Sequence, residues 1–285
     1  MEKQILLESS RISGFADEIA VDMDTQIALL KELGIEWVEF RSGDGKGVAD
    51  YSLEEAKDLR RKLDENGIRV SALGSPIGKI GIEEDFAPHL KLLEHLTELA
   101  GVLGTSYIRM FSFFIPVGKD PADYRDEVFG RTKAMVEMAK EKGVVLLHEN
   151  EKGIYGDVAQ RCLDLMWNFY GEHYRCTFDF ANFVQCGQDV LAAYEMLKPY
   201  ITYVHVKDAV METGEVTPAG EGDGQVAEIL RRLDGEGYKG FLSLEPHLVD
   251  FAGLKNLEKD AKERKRSDGE QAFSQAYHAL RKILG

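Results

Sequence analysis

The chain is short of cysteine, short of base relative to acid, and free of long apolar runs. Its 285 residues include only Cys162, Cys176 and Cys186, an odd number with no CxxC pair. A disulfide framework is therefore not expected, and a reducing, cytoplasmic compartment is. Lys and Arg number 35 against 50 Asp and Glu, a net charge of −15. So acidic a surface repels phosphate backbones, and nucleic acid is not expected as the main partner. No run of 18 apolar residues exists, so no membrane span is expected. The opening MEKQILLESSR is too short and too charged to read as a signal peptide. With 44% hydrophobic and 30% charged residues, the composition is that of an ordinary soluble globular protein.

What the chain does have is a repeated alternation. Short apolar, β-branched runs at 12–16, 35–40, 68–73 and 105–110 are each followed by a stretch with helical spacing. Asp24 is expected to cap the first helix, with Ile27, Leu30 and Leu33 on one face and Gly34 ending it. Ser52 with Glu55 three residues on reads as a capping box. Helices are expected over 84–103, 121–142, 157–170 and 188–197, then one through Val226, Ile229, Leu230 and Leu233. A final helix carries Phe273, Ala276, Leu280 and Ile283 on one stripe. Eight strand–helix alternations call for a (β/α)₈ barrel, in α/β class, as a single domain over 1–285. A charged stretch at about 248–268 reads as a solvated insertion before the last helix.

Four later runs share one feature. VVLLHEN (144–150), YRCTFDFAN (174–182), ITYVHVKD (201–208) and GFLSLEPH (240–247) climb through apolar residues and end on a side chain able to bind metal. Those side chains are Glu149, Asp179, His205 and Glu245, spaced 30, 26 and 40 residues apart, each about one strand-plus-helix unit. Parallel barrels place function at the carboxyl ends of their strands, so the four are expected at one mouth. Side chains two apart on a strand share a face. Leu147, Thr177, Tyr203, Phe241 and Ser243 should therefore pack in the interior just below, and Lys207 should point into the mouth with His205. Two Glu, one Asp and one His make a mostly oxygen donor set. It suits a single divalent ion, Mn²⁺ first, with Mg²⁺, Co²⁺ and Zn²⁺ as alternatives. His148 has the opposite parity and should pack against a helix. Trp37 and Phe111 are candidates to stack on a sugar face or to sit in the core. The GEGDG run (220–224) lacks the lysine of a phosphate loop and reads as a lid or turn.

Together these stretches resemble the xylose isomerase-like superfamily of barrels, which includes sugar isomerases, ketose 3-epimerases, inosose dehydratases and abasic-site endonucleases. The resemblance rests on HEN (148–150), DFAN (179–182), HVKD (205–208), the run from 220 to 247, and LLKELGIEWVEFR (29–41). It covers about residues 11–247. It implies that Glu149, Asp179, His205 and Glu245 are metal ligands and that the two glutamates carry protons on opposite faces of an enediolate. Arg109, Asn182, Lys207 and His247 are then candidates to bind substrate.

The resemblance is imperfect. The ketose epimerases carry a histidine where this chain has Asn182, an arginine at Met211 and a glutamate at Tyr155. The leading expectation is a metal-dependent isomerase or epimerase of a sugar or keto-sugar. A lyase or dehydratase acting on an inosose or 3-keto-glycoside is the alternative, and a non-catalytic sugar-binding barrel is an alternative of another class. An endonuclease would need further histidines for a three-metal cluster and is not expected. The expected partner is a small-molecule carbohydrate; assembly into a homo-oligomer is left open.

Overall fold

The computed structural model describes residues 11–248 and 269–285. Eight strands form one parallel sheet: β1 (Arg11–Gly14), β2 (Trp37–Phe40), β3 (Arg69–Leu73), β4 (Tyr107–Met110), β5 (Val145–Glu149), β6 (Tyr174–Asp179), β7 (Ile201–Val206) and β8 (Phe241–Leu244). The hydrogen-bonded order is β1-β8-β7-β6-β5-β4-β3-β2. β1 and β2 lie against each other at the remaining seam, so the sheet is a nearly closed (β/α)₈ barrel. Nine helices among the described residues surround it: α1 (Met23–Glu32), α2 (Leu53–Glu65), α3 (Ala87–Leu103), α4 (Arg125–Lys142), α5 (Ala159–Phe169), α6 (Phe180–Gln185), α7 (Val190–Leu197), α8 (Val226–Gly235) and α9 (Gly269–Leu284). The charged insertion expected at 248–268 lies, apart from Leu248, outside the described residues.

Local chemistry sets the element ends. Ser52 and Glu55 form the expected capping box: Glu55 N–H donates to Ser52 Oγ and Ser52 N–H donates to Glu55 Oε2 (3.3 and 2.8 Å). The first helix is capped by Asp22, not Asp24, because Asp22 Oδ1 accepts from Thr25 N–H (2.8 Å). Asp24 sits inside the first turn and pairs with Lys62. The sixth strand stops at Asp179. Asp179 Oδ1 accepts from Asn182 N–H (2.7 Å) and opens α6.

Two apolar layers hold the barrel. The larger lies between the helices and the outer strand faces. The smaller fills the interior with Ala72, Leu147, Tyr203 and Phe241, against which Trp37, Tyr107 and Val145 pack, as strand parity requires. Each of these large side chains contributes roughly 1.5–3 kcal/mol on burial. Trp37 begins β2 and meets Phe241 edge-on (centroids 5.0 Å), with the Arg11 and Arg69 guanidiniums over its ring at 4.9 and 4.2 Å. It closes the floor, at the end away from the mouth, and is no sugar platform. α9 buries Ala272, Phe273, Ala276, Leu280 and Leu284, while Ile283 is half-buried. Among the described residues no helix is long and apolar enough to cross a membrane.

Candidate metal centre

Glu149 ends β5, Asp179 ends β6, His205 is the fifth residue of β7, and Glu245 follows β8. The register sets His205 level with Asp179 on one side and Ser243 on the other. The four side chains are buried and each offers a ligand atom within 4.8 Å of the others. His205 Nδ1 lies 3.0 Å from Glu149 Oε1 and 3.7 Å from Glu245 Oε2. Glu149 Oε2, Asp179 Oδ2 and His205 Nδ1 are buried without a hydrogen bond of good geometry. Buried polar atoms are rarely left so. Three such atoms converging with a third carboxylate, that of Glu245, make a donor set that fits a divalent cation with hard-oxygen preference.

Three cationic side chains line this group. Lys207 Nζ is 2.9 Å from Glu245 Oε2 and 3.3 Å from Asp179 Oδ2. Arg109 Nη1 is 3.4 Å from Glu149 Oε2 and 3.7 Å from Glu245 Oε1, its guanidinium lying over Phe15 and Phe111. Arg41 bridges Asp17 (2.8 Å), Glu18 (3.2 Å) and Glu245 (3.3 Å). The electrostatics follow. Burial pushes the Asp179 carboxyl up to about 7; Lys207 and His205 pull it down, while Glu245 and Glu149 push it further up. Burial also raises Glu245, but Lys207 and His247 outweigh it and hold that group well below the usual carboxylate range. Burial alone would discharge Lys207, yet Asp179, Glu245, Glu149 and Glu151 keep it firmly protonated.

All eight residues singled out in the sequence meet here. Asn182 Nδ2 reaches Glu149 Oε1 (3.4 Å) and donates to Asn150 O (2.9 Å). His247 donates its backbone N–H to Glu18 Oε2 (2.7 Å), and its ring lies 3.4 Å from Glu245 Oε1. Its φ of +46° is a left-handed backbone in a bulky residue, the kind of strain that collects at functional sites. His148 faces outward as parity demands, hydrogen-bonded to Ser112 (3.0 Å) and stacked on Tyr174.

Sequence reasoning missed part of the site. Glu39, Arg41 and Glu18 are buried in or beside the cluster, and Glu39 contacts His205 Nε2 at 3.1 Å. The available signal was parity: Glu39 and Arg41 share a strand face with Trp37. Lys79, on the loop after β3, pairs with Glu151 beyond β5 (3.0 Å). The GEGDG run proves to be a turn clasped by Asp208, whose carboxylate accepts from the N–H groups of Ala209, Gly220, Gly222 and Gly224 (2.8–3.1 Å).

A family model described as "Xylose isomerase-like TIM barrel" matches residues 27–273. The chain belongs to that family. It is 29% identical over 199 residues to a 2-epi-5-epi-valiolone 7-phosphate 2-epimerase of Actinoplanes sp., covering 68% of this chain and 70% of the relative. It is 24% identical over 181 residues to a 3-dehydroshikimate dehydratase of Bacillus anthracis, covering 62% and 63%. A solved L-ribulose 3-epimerase superposes with a TM-score of 0.76 at 18% identity, covering 96% of this chain and 94% of that one, and shares the fold. The curated relatives of this xylose isomerase-like barrel thus include an epimerase and a dehydratase.

Proposed function

We propose that this xylose isomerase-like enzyme is a divalent-metal-dependent epimerase or isomerase of a keto-sugar or a related keto-cyclitol. The observation that carries the reading is the juxtaposition of Glu149 and Glu245 within one buried donor set completed by Asp179 and His205. A divalent ion held by those four residues, Mn²⁺ before Mg²⁺, Co²⁺ or Zn²⁺, would polarise a substrate carbonyl and acidify the neighbouring C–H. Glu149 takes that proton from one face, and Glu245 returns one to the other. Lys207 and Arg109, each between two of these carboxylates, bind the substrate oxygens on which negative charge develops. Asn182 donates its amide at the rim of Glu149, and His247 supports Glu245. The epimerase relative, whose named substrate is a phosphorylated cyclitol ketone, supports a ring ketone.

Dehydration is the second reading, and a specific feature favours it. Of the three positions where this chain departs from the ketose epimerases, Tyr155 is turned away, its hydroxyl donating to Asp164 (2.8 Å). Met211 is exposed. In this reading Lys207, whose Nζ is 2.9 Å from Glu245 Oε2, protonates the departing hydroxyl. Product mass separates the two: epimerisation conserves it, and dehydration loses water. Hydrogen exchange from solvent into a panel of keto-sugars and keto-cyclitols tests the first, and finding neither exchange nor loss of water with metal supplied would overturn both. The acidic composition accords with a small-molecule carbohydrate partner and not with nucleic acid.

A further inference from the structure

Glu39 is a charged side chain at the centre of a barrel, 1% exposed, on a strand that needs no acid. An isolated carboxylate buried so deeply is costly unless paired and hydrogen-bonded. Its pairing here is specific. Glu39 Oε2 accepts from Ser243 Oγ (2.7 Å) and lies 3.1 Å from His205 Nε2, with Oε1 at 3.3 Å. Beneath it, Tyr203 OH and Ser71 Oγ are 2.8 Å apart and Ser71 Oγ and Ser13 Oγ 2.6 Å apart, a hydroxyl chain from β7 to β3 to β1. Phe15 abuts the His205 ring edge-on (5.3 Å). Every side chain named in this paragraph is buried.

The two ring nitrogens of His205 therefore face different groups. Nε2 faces Glu39, and Nδ1 faces Glu149 and Glu245. We propose that Glu39 is a positioning residue for the candidate metal centre. It takes the Nε2–H of His205, fixes the ring's rotation and tautomer, and leaves the Nδ1 lone pair directed at the donor set. Outer partners of this kind orient a ligating imidazole and raise its basicity. Ser243 on β8 holds Glu39 in turn. The assignment rests on the metal-binding reading of the site.

The test measures metal binding, independent of turnover. Glu39→Gln keeps size and an accepting oxygen but removes the charge; Glu39→Leu removes both. Calorimetric titration with Mn²⁺ should show one site in the wild type. Affinity should fall about 10–100-fold in E39Q and further in E39L. In ¹⁵N-histidine NMR of the Zn²⁺-loaded protein, the wild type should show His205 with its proton on Nε2, a downfield, slowly exchanging N–H. That resonance should move upfield in E39Q. Unchanged Mn²⁺ affinity and an unchanged imidazole N–H in E39Q, with or without a loss of thermal stability, would overturn the proposal. A wild type that takes up no Mn²⁺ would overturn the metal-binding reading itself, and the assignment with it.

Discussion

Glutamine at position 149 or 245 keeps the volume and one coordinating oxygen but cannot carry a proton. Each substitution is expected to cut turnover about 10²–10⁴-fold, the usual worth of a positioned acid–base group, while retaining some metal. Steady-state kinetics beside elemental analysis checks this, and near-native rates in both variants would move the proton carriers elsewhere, Lys207 first. His205→Ala should lower metal affinity and leave the far-ultraviolet circular dichroism unchanged, because the imidazole belongs to the mouth and the apolar interior lies below it. At this scale the four candidate donors, which the structure brings together, were legible because each broke an apolar run at its end. Glu39 was not. An acid in the middle of a four-residue strand reads as the outward half of an alternation, and only its shared parity with Trp37 marks it as interior. Arg41 and Glu18 escaped for a related reason: each earns its place through a partner some 200 residues away in sequence.

Loops flank the candidate site, and their anchors can be tested one at a time. Asp208 gathers four backbone N–H groups of the 208–224 segment. Removing a charged acceptor shared by four donors, two of them buried, costs on the order of 2–4 kcal/mol, so Asp208→Ala should lower Tm by about 5 °C and expose 212–224 to proteolysis. A thermal scan with limited digestion checks it; an unchanged Tm would deny the clasp. The loop after β3 is pinned otherwise: Ile77 O accepts from Phe111 N–H (2.7 Å), and Gly78 O accepts from Phe113 N–H (3.0 Å). Gly78 has φ +84°, and a Cβ there would run into the Phe111 carbonyl. Gly78→Ala should therefore destabilise the fold more than Gly187→Ala, also at positive φ but with open space around it, by denaturant titration. Helix spans were legible from spacing and caps, and the capping box at Ser52 was legible outright. The short α6 was hidden because Asp179 is both a strand-end donor and a helix cap, and the apolar residues after it continue the look of a strand.

The barrel as a whole was legible because eight βα units leave a parallel sheet little choice but to close. The hydroxyl chain that threads its interior was not, since serines within apolar strands carry no period of their own. One whole-molecule property follows from His89, whose Nε2 accepts from Gly78 N–H (2.7 Å). Burial and Arg131 push its pKa down to about 4, against a smaller upward pull from Glu84. In the unfolded chain an imidazole titrates near 6.5. Between these values the unfolded state binds the extra proton, so stability falls as pH drops from about 6.5 to about 4, by up to roughly 1.4 kcal/mol per pH unit. His89→Gln should flatten that part of the Tm-against-pH curve; parallel curves would contradict it.

The central claim joins a metal to a proton carried between two glutamates. The most direct measurement follows deuterium entry from D₂O into keto-sugars and keto-cyclitols by NMR, with the protein Mn²⁺-loaded, chelator-stripped, and reloaded. The account predicts exchange at the carbon beside the carbonyl when Mn²⁺ is present, its loss on chelation, and its return on reloading. No exchange across the panel, or exchange indifferent to chelation, would contradict it.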